Sequence, residues 1–191
     1  MSRQKKRNVA LALLMIAAVV LYGGHLVKVS REKTQTYDAL AQQPIQAVQA
    51  ISEENLQFSV KSRFFDGSGY VDCVLASPER TPFYPADTVV GAADEQMMKA
   101  VRTVAASLGI YDYDWSSERP AVAPGKSNVT LSFFMGEEMA AKATFTIDGS
   151  TLRWQVEENS GWLVCRYNVD TEALETLSNA PYDLYLNRKN P

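Results

Sequence analysis

Residues 129–168 read VTLSFFMGEEMAAKATFTIDGSTLRWQVEENSGWLVCRYN. Four runs of strand character, Val129–Met135, Ala140–Ile147, Leu152–Glu157 and Trp162–Asn168, are separated by Gly136-Glu137, Asp148-Gly149 and Ser160-Gly161. β-Branched and aromatic residues dominate the runs, and the separators are short turn formers. Connections this short force each strand to lie antiparallel beside its predecessor, so the stretch predicts a four-stranded meander. Phe133, Phe145, Trp154 and Trp162 would supply ring area to its core.

Upstream, Leu56, Phe58 and Val60 alternate with Gln57, Ser59 and Lys61, and Phe64-Phe65 lead into Asp66-Gly67-Ser68-Gly69. With Tyr70–Leu75 as the returning run, this predicts a hairpin around an Asp-Gly turn. Residues 77–91 contain Pro78, Pro82, Pro85 and Gly91 and read as a long connection carrying Phe83 and Tyr84. A helix follows from about Ala92 to Leu108, with Met97, Val101, Val104, Ala105 and Leu108 on one face. Asp94 and Glu95 suit its N-terminus, and Gly109 is placed to end it. Residues 110–126 are less regular, and Pro120, Pro124 and Gly125 favour a loop. After the meander, Asp170 caps a short helix that turns Ala173, Leu174 and Leu177 inward. The tail, residues 187–191, is polar. The pattern predicts an α+β domain over residues 54–186, an antiparallel sheet with helices on one face.

The N-terminal segment has a different character. Val9–Val29 reads VALALLMIAAVVLYGGHLVKV, close to the ~20 residues that cross a hydrocarbon core of about 30 Å. Arg3, Lys5, Lys6 and Arg7 precede it with no acid among residues 1–30. The positive-inside rule then assigns residues 1–8 to the cytoplasm, 9–29 to the lipid bilayer as a transmembrane helix, and the folded domain to the outside. The rival reading is a cleaved leader with Val9–Tyr22 as its core, followed by secretion. Tyr22 sits where a small residue is needed for cleavage after Gly24, and apolar residues resume at Leu26, which favours an uncleaved anchor. Residues 30–53 read as a helical connector: Tyr37, Leu40 and Ala41 recur at helical spacing, then Ile45, Val48 and Ile51. Pro44 between them predicts two helices with a bend at Gln43–Pro44.

Charge and residue usage narrow the function. The 191 residues hold 19 basic and 22 acidic side chains, of which residues 31–191 carry 14 and 22, a balance of −8. A domain of that sign does not suit nucleic acid, which demands clustered Lys and Arg. His25, the only histidine, lies in the apolar segment, so the folded domain has no imidazole base for Ser/His/Asp or Cys/His chemistry. Cys73 and Cys165 fall in predicted strands. An oxidising compartment would permit a bridge between them, and the alternative is two buried thiols. Two cysteines about 90 residues apart without histidine fall short of a zinc set, and no phosphate-binding glycine pattern occurs. Neither cofactor nor metal is expected.

One segment offers binding chemistry. In Tyr111-Asp112-Tyr113-Asp114-Trp115, rings and carboxylates alternate, so an extended backbone would place the rings on one face and the acids on the other. That is the make-up of a sugar- or peptide-binding surface, with Phe83 and Tyr84 as further contacts, and equally of a half-buried strand. Paired carboxylates also admit a hydrolase, the third-ranked reading. The first is a non-catalytic, membrane-anchored interaction domain that docks on other envelope proteins or on itself, in an assembly of secretion, pilus, conjugation or division type. The second is an extracytoplasmic ligand-binding or sensor module.

Overall fold

The computed structural model describes residues 3–51, 53–78, 84, 85, 87–119, 129–135 and 140–189, with side chains outside residues 3–13 and 53. The chain runs α1 (Arg3–Gln49), a single 3-10 turn (Glu53–Asn55), β1 (Leu56–Phe65), β2 (Tyr70–Ala76), β3 (Val89–Ala92) and α2 (Glu95–Ser107). It continues through β4 (Gly109–Ser116), β5 (Thr130–Met135), β6 (Ala143–Asp148), β7 (Thr151–Glu158), β8 (Gly161–Asn168) and α3 (Thr171–Lys189). It divides into two units, residues 1–40 and 41–191. The second begins 13 residues before the domain start read from sequence.

The first unit consists of the bulk of α1. Leu14, Ile16, Val19, Leu21 and Val27 are exposed along it. This helix is long and apolar enough to cross a membrane by length and composition.

The second unit is built on an eight-stranded sheet of order β3-β2-β1-β5-β6-β7-β8-β4. The meander β5–β8 forms as its turn chemistry dictates, each strand antiparallel to the last. The β1–β2 hairpin also forms, with Phe65 opposite Tyr70. Its turn depends on Asp66, whose Oδ1 accepts from Ser68 N at 3.0 Å, Ser68 Oγ at 2.8 Å and Gly69 N at 3.1 Å, while Gly67 takes φ +93°. These bonds to the ionised form, led by the Ser68 hydroxyl, hold the Asp66 carboxyl below its usual range. Leu56–Phe65 then pairs with β5 on its other side, joining hairpin to meander.

The ladder registers assign every strand residue a face. Phe58, Leu131, Phe133, Phe145, Leu152, Leu163 and Tyr167 share one face and are fully buried. Phe145 meets Phe133 and Tyr167 edge-on, at 6.1 and 5.6 Å between centroids. Helices cover this face. Tyr185 of α3 stacks on Phe64 at 4.9 Å, Leu184 of α3 lies over Gly91 beside Leu75, and α2 packs along α3. At the β8 end, Ala41, Ile45 and Val48 of α1 are buried, and Tyr167 Oη donates to the Ala41 carbonyl at 2.9 Å. The other face carries Lys61, Arg63, Asp72, Ser132, Thr144, Arg153 and Arg166, with Val74, Phe134 and Val164 buried among them.

Several sequence expectations are corrected. The sheet is mixed rather than purely antiparallel, because β3 pairs parallel with β2. β3 takes residues 89–91 from the expected connection and Ala92 from the expected helix; it is only four residues long, and a parallel partner leaves no short-turn signal. Residues 110–116, read as irregular, form the edge strand β4 together with Gly109. Pro44 lies inside α1 with no break into two helices, and Pro181 lies inside α3, which runs 19 residues to Lys189 and takes residues 187–189 out of the tail. Both prolines are buried. Proline removes one backbone bond, and packing on both sides of it keeps the helix going. Asp94 caps α2 by accepting from Met97 N at 2.8 Å, and Asp170 caps α3 by accepting from Ala173 N at 2.9 Å. Gly109 does not cap α2: Leu108 is already extended (φ −61°, ψ 113°) and buried, and Gly109 opens β4.

Candidate functional site

The Tyr111–Trp115 segment lies in β4, which follows α2 after Leu108 and forms one edge of the sheet against β8. Ile110 faces Tyr167 and Asp112 faces Arg166, so Tyr111 is an extra residue bulged out of the ladder. The bulge breaks the simple alternation expected from sequence. Tyr113 and Trp115, opposite Cys165 and Leu163, belong to the helix-covered face, whereas Asp112 and Asp114 share the polar face with Arg166. Tyr111 projects at the bulge, 61% exposed, and Trp115 remains 46% exposed.

Arg166 organises the acids. Its Nη1 donates to Asp112 Oδ1 at 3.3 Å and lies 3.7 Å from Asp114 Oδ2. Two carboxylates thus share one guanidinium, and Asp114 is 79% exposed. The pair is held as a salt-bridge network on a solvated face, which a structural strand also provides.

Trp115 depends on its neighbour strand. A Cβ on Gly161 would collide with the Trp115 ring and lie 2.7 Å from the Ser116 carbonyl. The absent side chain at Gly161 is therefore what lets the indole approach β8 closely. This fixes the adjoining turn as well. Asn159 and Ser160 take the left-handed conformation (φ +49° and +63°) where glycine would be unstrained, and the only nearby glycine is used inside the strand. Trp162 holds Arg119 over its ring at 5.0 Å.

The other sequence candidates separate from this edge. Tyr84 lies in the connection from β2 to β3, at the opposite end of the sheet order from β4, and Phe83 lies outside the described residues. Cys73 on β2 and Cys165 on β8 are free, buried thiols, and the bridge considered from sequence is not formed. They sit five strands apart in sheet order, roughly 24 Å along the sheet at ~4.8 Å per strand. Burial pushes the Cys165 thiol up to about 11, which removes its thiolate at neutral pH. A cleft of about 500 Å³ between α2 and α3 carries Asp94, Glu172, Glu175 and Asp183 around Leu75 and Met97. Among the described residues no group of three or more His, Cys, Asp or Glu is arranged to hold a metal.

Sequence reading missed Arg166 and Gly161 as partners of this segment. Arg166 had a faint signal, its period-two spacing from Trp162 and Val164, but its pairing with Asp112 depends on which strand lies beside β8. No protein-family model, curated protein or solved structure matches this chain.

Proposed function

We propose that this chain is a single-pass membrane protein whose C-terminal domain lies outside the cytoplasm and serves as a non-catalytic interaction domain in a cell-envelope assembly. The observation that carries it is the pairing, in one chain, of an exposed apolar N-terminal helix with a folded domain presenting exposed aromatics on a sheet edge. The apolar helix requires a nonaqueous surrounding, and a bilayer supplies it. The basic residues before it favour an inside N-terminus. Exposed Tyr and Trp on a rigid strand are the residue types that anchor protein contacts.

The test is a pull-down of the tagged full-length chain from gently solubilised membranes, with the recovered proteins quantified by mass spectrometry. Near-stoichiometric recovery of envelope proteins is expected. Recovery of the chain alone, under detergents that preserve other complexes of the same membrane, overturns the reading.

A further inference from the structure

We infer that the tip of the β1–β2 hairpin docks on the bilayer that holds α1, with Phe65 and Tyr70 seated in its headgroup layer. This rests on the membrane-anchored reading above and adds a second contact with the same membrane. Phe65 and Tyr70 face each other across the ladder beside the turn, their ring centroids 5.5 Å apart, yet they are 64% and 69% exposed. On the other face of the sheet Phe64 lies 5.8 Å from Tyr182, itself 48% exposed. Rings therefore flank the tip on both faces. Aromatic side chains, tyrosine above all, suit the boundary between water and hydrocarbon.

Connectivity chooses the occupant. Lys61, Thr130, Thr146, Arg153 and Arg166 lie in one row across the sheet, and β1 and β8 run in the same direction. Tyr167 stands one residue beyond that row and Phe65 four, so the tip projects about 10 Å past Tyr167 at ~3.3 Å per residue. Tyr167 Oη bonds the Ala41 carbonyl, so the chain enters the folded unit near this end of the sheet. From Val29, the end of the apolar segment, to Ala41 the path along α1 is about 18 Å at ~1.5 Å per residue. So short a tether holds the tip at high effective concentration against its own bilayer, and a few rings suffice for contact. Charge neither drives nor opposes it. On β1, the turn, β2 and α3 from Tyr182 onward stand Lys61, Arg63, Arg188 and Lys189 against Asp66, Asp72 and Asp183, and Asp87 acts on Arg63. These charges balance, so the rings carry the contact. Asp66 keeps its charge inside the hydrogen-bonded turn, which belongs in the headgroup layer rather than in hydrocarbon.

Photo-crosslinking tests this. p-Benzoyl-phenylalanine replaces Phe65, Met135 or Val19, one at a time, in the full chain, both in phosphatidylcholine vesicles and in its own membranes. Met135 is 39% exposed at the opposite end of the sheet, where it pairs with Leu56, about 30 Å from Phe65 along β1. Val19, exposed on the apolar helix, reports on the anchor. Adducts are identified by mass, a thermal melt checks each labelled chain, and Tyr70 carries the probe if the Phe65 chain does not fold. Lipid adducts are expected from Val19 and from Phe65, the latter at least about fivefold above Met135 and unchanged when about a fifth of the lipid is anionic. Equal lipid labelling at Phe65 and Met135 overturns the inference. So does a Phe65 adduct to a second copy or to another protein in place of lipid, or a yield that climbs severalfold with anionic lipid. Where Val19 still labels lipid, such a result removes the hairpin contact and leaves the anchor standing. If Val19 labels no lipid, the membrane-anchored reading itself falls, and this inference with it.

Discussion

Tyr167 ties together parts of the fold that no local rule connects. Its ring lies fully inside the core against Phe145, and its hydroxyl reaches the Ala41 carbonyl on the turn of α1 that precedes Pro44. Burial raises the phenol well above its ordinary value, so it stays a donor at every practical pH. Tyr167→Phe keeps the ring and removes one buried hydrogen bond, which should cost about 1–2 kcal/mol in chemical denaturation. Asp72 does comparable work on the polar face. Its carboxylate, 14% exposed, accepts from Arg63 Nε at 2.6 Å and Nη2 at 3.0 Å and lies 2.7 Å from Lys61 Nζ. The Arg63 hydrogen bonds, with Lys61 second, hold its pKa at about 2. A depressed carboxyl pKa means the unfolded chain binds the proton first, so the stabilisation is present above about pH 4 and lost as pH falls towards 2. Both cations are solvated, which discounts the contribution to about 1 kcal/mol. Asp72→Asn should therefore be about 1 kcal/mol less stable than wild type at pH 6, with the difference shrinking below about pH 4 and disappearing only as pH falls through about 2 in a pH series of denaturant melts.

The β7–β8 turn and the β4 edge form one linked design. Gly161 is kept bare for the Trp115 ring, which leaves Asn159 and Ser160 to make a left-handed turn at some conformational cost. Ser160→Gly should relieve that cost and stabilise the domain by about 1 kcal/mol. Gly161→Ala, one residue away, should destabilise it by about 1–3 kcal/mol through overpacking against Trp115 and Ser116. Thermal melts of the two variants read opposite shifts, and equal shifts would refute the link. A sequence reading sees Ser160-Gly161 as one turn signal, because glycine fits a turn and a crowded strand equally well. The candidate segment was legible to the same limited degree. The alternation of rings and acids was visible in residues 111–115, but the bulge that separates Tyr111 from Tyr113 and Trp115 arises only on pairing with β8.

The two units of the chain divide within α1, and this sets what can be removed. Ala41, Ile45, Val48 and Ile51 are buried in the second unit, and Ala41 supplies the acceptor for Tyr167. A fragment of residues 41–191 should melt within about 2 °C of the full chain in detergent. A fragment of residues 54–191 loses three buried Ile/Val side chains, each worth about 1.5–3 kcal/mol, against a typical total of about 5–15 kcal/mol. It should be unfolded or aggregated by circular dichroism and gel filtration, and a cooperative melt equal to that of 41–191 would show that the helix end is not part of the core. By itself the sequence determined the α+β class, the hairpin, the meander, the Asp170 cap of α3 and the long apolar N-terminal helix. Those depend on contacts a few residues apart, through turn geometry, side-chain period and capping bonds. Only the tertiary structure decided that β3 joins in parallel, that β4 closes the far edge, that Cys73 and Cys165 sit far apart, and that helices continue through Pro44 and Pro181. Each of these depends on which strand or helix lies alongside, and partners distant in sequence leave no periodicity in the chain that meets them.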